Sequence, residues 1–183
     1  MNTKYTIKNF RVFDSDGATF ELNPITILTG CNSSGKSSLV KSLMLLGDYF
    51  RRVRDDYNNG RPCHLQNYKL DFSKADLDLG NFKKALNFKA KKDSKITFSY
   101  IVGSLLLGED LTVELSFKAD KVDELNNGWL SDISISKSDG LVLYAAEVNN
   151  ENELEIQTLN LDCIKDAFID FSSIASCYSA RKE

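Results

Sequence analysis

Apolar and polar residues alternate at the start of the chain. In KYTIKNFRVF, residues 4–13, every second or third residue is apolar, which predicts a strand. Two further β-rich runs follow, ATFEL at 18–22 and ITILTG at 25–30, with Asn23-Pro24 as a turn between them. Residues 25–29 are almost continuously apolar or β-branched. This pattern is typical of a strand that is covered on both faces, so we expect a central strand here.

A helical period replaces the alternation after residue 30. Following a Ser/Gly-rich start, Leu39, Leu43, Leu46 and Phe50 recur at three- and four-residue spacing, which predicts an amphipathic helix. From residue 51 to 94 the periodicity weakens. We expect an irregular insertion there, with a short helix in NFKKALNF.

Alternating segments fill most of the second half of the chain. They are KITFSYIV, LTVELSFK, WLSDISISK, LVLYAAEV and ELEIQTLNL, separated by turn signals such as GED, NNG and KSDG. Connections this short favour antiparallel neighbours. Beyond them, residues 163–176 carry apolar side chains at helical spacing, which predicts a C-terminal helix.

These elements predict a single α/β domain with a large antiparallel β component, which fits a chain of 183 residues. Its parts are strands, a glycine-rich loop and a helix in 1–50, an irregular insertion in 51–94, antiparallel strands in 95–160 and a helix or tail in 161–183.

Composition and charge narrow the class of protein. Hydrophobic residues at 42%, charged residues at 27% and sparse Gly and Pro exclude a disordered or fibrous chain. The net charge of −3 provides no global attraction to nucleic acid or to anionic lipid. The chain has no apolar run of membrane-spanning length and no signal-peptide pattern, so we expect a cytoplasmic protein without a membrane partner. Four widely spaced cysteines and one histidine, His64, favour free thiols over structural zinc.

Residues 30–37, Gly-Cys-Asn-Ser-Ser-Gly-Lys-Ser, match the pattern G-x-x-x-x-G-K-[ST] between a predicted strand and a predicted helix. Gly30 and Gly35 allow the backbone to wrap so that several N–H groups converge on a polyphosphate. The helix N-terminus adds partial positive charge, Lys36 adds a full cation, and the Ser37 hydroxyl is a ligand for Mg²⁺. The motif therefore predicts a P-loop that binds ATP or ADP with Mg²⁺.

The longer stretch IKNFRVF…TFELNPITILTGCNSSGKSSLVKSL resembles the start of ABC-type ATPase heads of the SMC, RecF and OLD-nuclease kind. Asn9-Phe10-Arg11 precedes the loop at the family's position, and the loop has the family's form G-x-N-x-[SAG]-G-K-S-S. The string LDLGNFKKALNF also looks like a segment of bacterial AAA ATPases of this group. The resemblance is specific over residues 4–46 and extends more loosely to about 100.

The resemblance implies that Arg11 approaches the nucleotide from the N-terminal strand. It also implies a set of residues that line the phosphates: Asn32, Ser33, Ser34, Gly35, Lys36, Ser37 and Ser38. These heads use a glutamine after the P-loop to reach Mg²⁺ and the attacking water. Of the two glutamines in this chain, Gln66 is the better placed candidate for a catalytic role, and no other catalytic residue is identified.

The second half of such an active site is not found in the sequence. A Walker B strand ends in Asp-Glu, but LVLYAAE lacks the pair and AFIDF lacks the glutamate. No signature like L-S-G-G-Q follows either. We therefore expect the N-terminal, Walker A lobe of an ABC/SMC-like ATPase, with hydrolysis requiring a C-terminal half and a dimer. Two alternatives remain: a self-sufficient P-loop NTPase or kinase, and a non-hydrolysing nucleotide sensor that regulates a partner.

Two further expectations concern surfaces. The apolar residues 25–29 need a cover, for which the candidates are the C-terminal half of the head, another copy of the chain, or residues 163–176. Lysines at 83, 84, 89, 91, 92 and 95 form a dense basic stretch, which is more typical of a solvated loop than of a DNA contact.

Overall fold

The computed structural model describes residues 3–31, 34–74, 77–91, 93–104, 108–119 and 127–160. The helices in these ranges are α1 (Lys36–Asn58) and α2 (Phe82–Ala85), and a single 3₁₀ turn spans Leu65–Asn67. The strands are β1 (Thr3–Lys8), β2 (Ala18–Leu22), β3 (Lys69–Leu70), β4 (Ile96–Ser104), β5 (Glu109–Ala119), β6 (Gly128–Lys137), β7 (Val142–Val148) and β8 (Leu154–Leu159). Neither described helix has the length and apolar character of a membrane span.

The strands form one sheet in the order β2-β1-β4-β5-β6-β7-β8, with β3 beside β6. Every pairing between these strands is antiparallel. The five alternating segments predicted from the sequence appear as β4 to β8, each paired with the next along the chain. The prediction of a large antiparallel component is therefore confirmed, and helices are few within the described ranges.

The hydrophobic core lies between one face of this sheet and α1. Tyr49 of α1 is fully buried, with its ring centroid 5.2 Å from that of Phe117 on β5 in an edge-to-face contact. Phe98 of β4 lies 6.0 Å from Phe117, and Ile7 of β1 completes the buried face beside it. The alternation that predicted the strands thus selects the face that α1 covers.

The insertion between α1 and β4 contributes to the same core. Its buried side chains are all 3% exposed or less: Leu70, Phe72, Leu77, Leu79 and Phe82. The predicted short helix is α2, which Asn81 caps by accepting a hydrogen bond from the Lys84 N–H at 2.9 Å. The segment is irregular in secondary structure, as expected, but it is tightly packed and not a peripheral excursion.

The first helix is longer than the sequence pattern suggested and ends at Asn58, with several paired charges along its second half. Asp48 accepts a hydrogen bond from Arg51 at 2.6 Å, lies 3.2 Å from the Arg52 Nε and is also paired with Lys74 of the insertion. Burial by itself would raise the pKa of Asp48, but the hydrogen bonds from Lys74 and Arg51 and the charge of Arg52 hold that pKa below its usual value.

The predicted central strand at residues 25–29 is wrong. These residues pair with no described strand, and Ile25 and Ile27 are 85% and 81% exposed. A strand needs a neighbour for its N–H and C=O groups, and β2 is paired with β1 on one side only. The apolar character of the run was correctly identified, but no described element covers it. The predicted cover by residues 163–176 lies outside the described residues.

Candidate functional site

The loop before α1 has the backbone geometry that its glycines allow. Gly30 and Gly35 have φ angles of 139° and 94°, which side-chain-bearing residues rarely adopt. Gly35 occupies the N-cap position of α1, where it has no side chain to accept a hydrogen bond from the helix. The first turn of the helix contains no acidic residue either. The first intrahelical hydrogen bond runs from the Leu39 N–H to the Gly35 carbonyl at 2.8 Å. The N–H groups at the helix start, which have no partner within the helix, are thus available to an anion.

Lys36 folds back into this loop. Its Nζ donates to the carbonyl oxygens of Gly30 at 2.6 Å and Cys31 at 2.7 Å, and it lies 3.4 Å from the Ser34 Oγ. The ammonium group is therefore held by the carbonyl groups of the predicted phosphate-binding loop. Carbonyl groups hold the cation in place, and phosphate oxygens, which are stronger acceptors, can compete for it.

The serines of the motif occupy different environments. Ser34 and Ser37 are exposed, and Ser37 stands in the first turn of α1. Ser38, which the resemblance placed on the phosphates, is only 4% exposed and is part of the buried side of the helix. Asn32 and Ser33 lie outside the described residues.

The turn that carries Arg11 packs against the loop. Asn9 and Arg11 both have left-handed backbone conformations, with φ angles of 56° and 52°, so the chain reverses immediately after β1. The next two residues, Val12 and Phe13, contact the Gly35 backbone so closely that a Cβ on Gly35 would stand 2.9 Å from the Phe13 Cζ. The structure thus brings the turn of the predicted Asn9-Phe10-Arg11 motif to the predicted P-loop.

Asn87 holds that turn in place, and sequence reasoning did not single it out. Its side-chain amide donates to the Arg11 carbonyl at 2.5 Å, and its backbone N–H donates to the Asn9 carbonyl at 3.0 Å. The Arg11 N–H donates in turn to the Ala85 carbonyl at 2.7 Å. The sequence signal for this contact is the string LDLGNFKKALNF, which contains Asn87 and resembles a segment of related ATPases.

Gln66 is not brought to the loop. The 3₁₀ turn that contains it is fastened by a hydrogen bond of 2.7 Å from the Tyr49 hydroxyl to the Leu65 carbonyl. Tyr49 stands thirteen positions after Lys36 on α1. At 1.5 Å per residue, the Cα atom of Tyr49 lies about 20 Å along the helix from that of Lys36, so the 3₁₀ turn packs beside a later part of α1 than the loop.

A glycine loop that leads into an uncapped helix start, with a lysine bonded to the loop carbonyls, is typical of the P-loop class of nucleotide-binding proteins. The chain belongs to the AAA domain family, whose model matches residues 4–165. This is an AAA-type P-loop ATPase family found in proteins of the SMC, RecF and OLD kind, so the resemblance drawn from the sequence is confirmed. A comparison with curated proteins gives no match. Membership of the family assigns the chain a nucleotide-binding, ATPase-type function.

Proposed function

We propose that this chain binds ATP together with Mg²⁺ as the Walker A lobe of an ABC/SMC-like ATPase. The observation that carries the proposal is the start of α1, where Gly35 forms no side-chain cap and Lys36 is enclosed by the loop carbonyls. Free backbone N–H groups, the positive end of the helix dipole and a cation all belong to the start of α1 and the loop before it. A triphosphate is the ligand that uses all three.

Ser37 fits the role of a Mg²⁺ ligand. Its hydroxyl is exposed and follows directly after the phosphate-binding lysine. Mg²⁺ usually takes one or two protein ligands and completes its shell with phosphate oxygens and water. A single hydroxyl is therefore enough to orient the ion while ATP provides the rest. Bound Mg²⁺ neutralises charge on the phosphates.

Hydrolysis belongs to a larger assembly in this proposal. Neither the sequence nor the position of Gln66 provides a group that could hold the attacking water. Phosphoryl transfer depends on positioning and charge stabilisation, so binding without efficient turnover is the expected behaviour of the isolated chain. Turnover near one per second in the purified chain, lost in Lys36→Ala, would favour a self-sufficient NTPase instead.

The complementary half of the ATPase head is the partner that the surface of α1 fits best. Val40, Leu43 and Met44 are between 37% and 45% exposed, although the opposite side of the helix is already buried against the sheet. A helix with apolar residues on two sides is usually covered by other elements on both sides. Ile25 and Ile27, which lead into the loop, extend the uncovered apolar surface.

Isothermal titration calorimetry with ATP tests the proposed site. We expect saturable binding that strengthens when Mg²⁺ is added, and a Ser37→Ala variant that binds ATP but gains less from Mg²⁺. Ser73→Ala is the matched control, because Ser73 is an exposed serine whose hydroxyl is bonded to Asp71. An affinity that responds to Mg²⁺ equally in both variants would remove Ser37 from the site.

A further inference from the structure

Phe88 is the most exposed aromatic side chain among the described residues, at 85%. Leaving a ring of this size in water forgoes about 1.5–3 kcal/mol of burial free energy. The neighbouring residues Phe82, Ala85 and Asn87 are each 3% exposed or less, so the segment is well packed, and Phe88 is its one exposed large apolar side chain. The packing of the fold therefore does not use this ring.

The loop that presents Phe88 has a fixed shape. The Asn87 Oδ1 accepts from the Lys89 N–H at 2.9 Å, and the Asn87 carbonyl accepts from the Ala90 N–H at 2.9 Å. Asn87 is itself bonded to Arg11 and buried. The ring is thus held on a closed turn with its base in the core, and a ligand would not have to order the backbone when it binds.

The charged residues nearest to Phe88 along the sequence are all of one sign. Residues 79–91 contain four lysines and no acidic residue, in a chain whose net charge is −3. Lys83, Lys84, Lys89 and Lys91 are all exposed. None of the four forms an ion pair within the described parts of the chain, whereas Lys95 is paired with Asp132 at 2.7 Å. The Lys89 Nζ lies 5.8 Å from the centre of the Phe88 ring, so a cation and an aromatic face are presented together.

We infer that Phe88 and these four lysines form a binding site for single-stranded nucleic acid. A base stacks on the ring, since every base has a π face, and the lysines contact the phosphates on either side. An acidic peptide offers the negative charge but no flat ring to stack. A membrane-inserting loop needs a larger apolar tip than one phenylalanine between Asn87 and Lys89.

Fluorescence anisotropy with a labelled 20-nucleotide oligothymidylate, without ATP, tests this site independently of the proposed nucleotide site. With four phosphate contacts, affinity should fall about 50-fold between 50 and 200 mM salt, following a logarithmic slope near −2.8. Phe88→Ala should weaken binding by between about 5-fold and about 150-fold and keep the same slope, because the ring carries no charge. The Lys83→Ala/Lys84→Ala double variant should make the slope shallower by about 1.4, from about −2.8 to about −1.4, because two phosphate contacts are lost.

Matched control variants distinguish this site from non-specific binding of the oligonucleotide. Tyr57 is the next most exposed aromatic among the described residues, at 58%, and Lys4 is an exposed lysine on β1. Tyr57→Ala and Lys4→Ala should therefore bind the oligonucleotide as the wild type does. Circular dichroism melting confirms that each variant is folded.

Three results would overturn the inference. The first is no binding of the oligonucleotide at 50 mM salt. The second is equal binding of a polyglutamate of the same charge, with no effect of Phe88→Ala, which indicates a simple polyanion surface. The third is tighter Phe88-dependent binding to phosphatidylserine vesicles than to the oligonucleotide, which indicates a membrane contact.

Discussion

The side-chain amide of Asn87 donates a hydrogen bond of 2.5 Å to the main-chain carbonyl of Arg11, across 76 positions of sequence. Asn87 is 3% exposed, and it joins the insertion to the turn that packs against the glycine loop. One buried amide thus links two segments that carry the family resemblance.

Asn87→Ala should lower the free energy of unfolding by about 1–3 kcal/mol, because it leaves buried hydrogen-bonding groups without their partner. Urea denaturation measures the loss. The matched control is Asn59→Ala, which removes a bond of 2.6 Å to the Asp55 carbonyl at an exposed site and should cost less than about 0.5 kcal/mol. Equal losses in the two variants would contradict a special role for Asn87.

Asp48→Asn should destabilise the chain in a pH-dependent way. Because Lys74, Arg51 and Arg52 hold the pKa of Asp48 below its value in the unfolded chain, the wild type gains stability above about pH 4. That gain disappears as the pH falls through the folded-state pKa. The variant should therefore be less stable than the wild type by about 1–3 kcal/mol at pH 7.

Urea denaturation of the wild type and the Asp48→Asn variant at pH 7, 5 and 3 checks this, and the difference should shrink at the lowest pH. Asp110→Asn, at an exposed position, is the control and should show no comparable trend. If the difference in unfolding free energy between the wild type and Asp48→Asn is constant across the pH range, the charge of the Asp48 carboxylate does not cause it.

Ile27→Ala and Ile7→Ala remove the same atoms from opposite environments. Ile7 is fully buried and Ile27 is 81% exposed, so at protein concentrations low enough to keep the chain monomeric the first change should cost about 2–5 kcal/mol and the second less than about 0.5 kcal/mol in urea denaturation. Similar losses at both positions in the monomer would show that another part of the same chain covers residues 25–29.

The same exposed residues should make the isolated chain self-associate. Light scattering should show this for the wild type, and the Ile25→Lys/Ile27→Lys variant should reduce it. At concentrations where both proteins are monomeric, their unfolding midpoints should be the same. If self-association is the same in this variant, a surface other than Ile25 and Ile27 causes it.

The strands from 95 to 160 could be predicted because alternation of period two and turn residues are local signals, and so could the loop at 30–37. The exposure of residues 25–29 could not be predicted, because an apolar run indicates that a segment is suited to burial but does not show which element covers it. The Asn87–Arg11 bond joins residues far apart in sequence, and the distance of Gln66 from the loop depends on the path of the insertion along α1. Such long-range relationships leave no periodic trace in a single sequence.

Nucleotide binding by the loop is the central claim, and a thermal unfolding scan with Mg²⁺ and ATP tests it most directly. With ATP at a hundred times its dissociation constant, the wild type should gain about 2.7 kcal/mol of stability. Lys36→Ala should lose that gain while melting normally without ligand, because the Lys36 ammonium contacts only the loop carbonyls and Ser34 among the described residues. Lys4→Ala, at an exposed lysine on β1, should respond to ATP as the wild type does. A Lys36→Ala variant that is stabilised by ATP as strongly as the wild type would contradict the account.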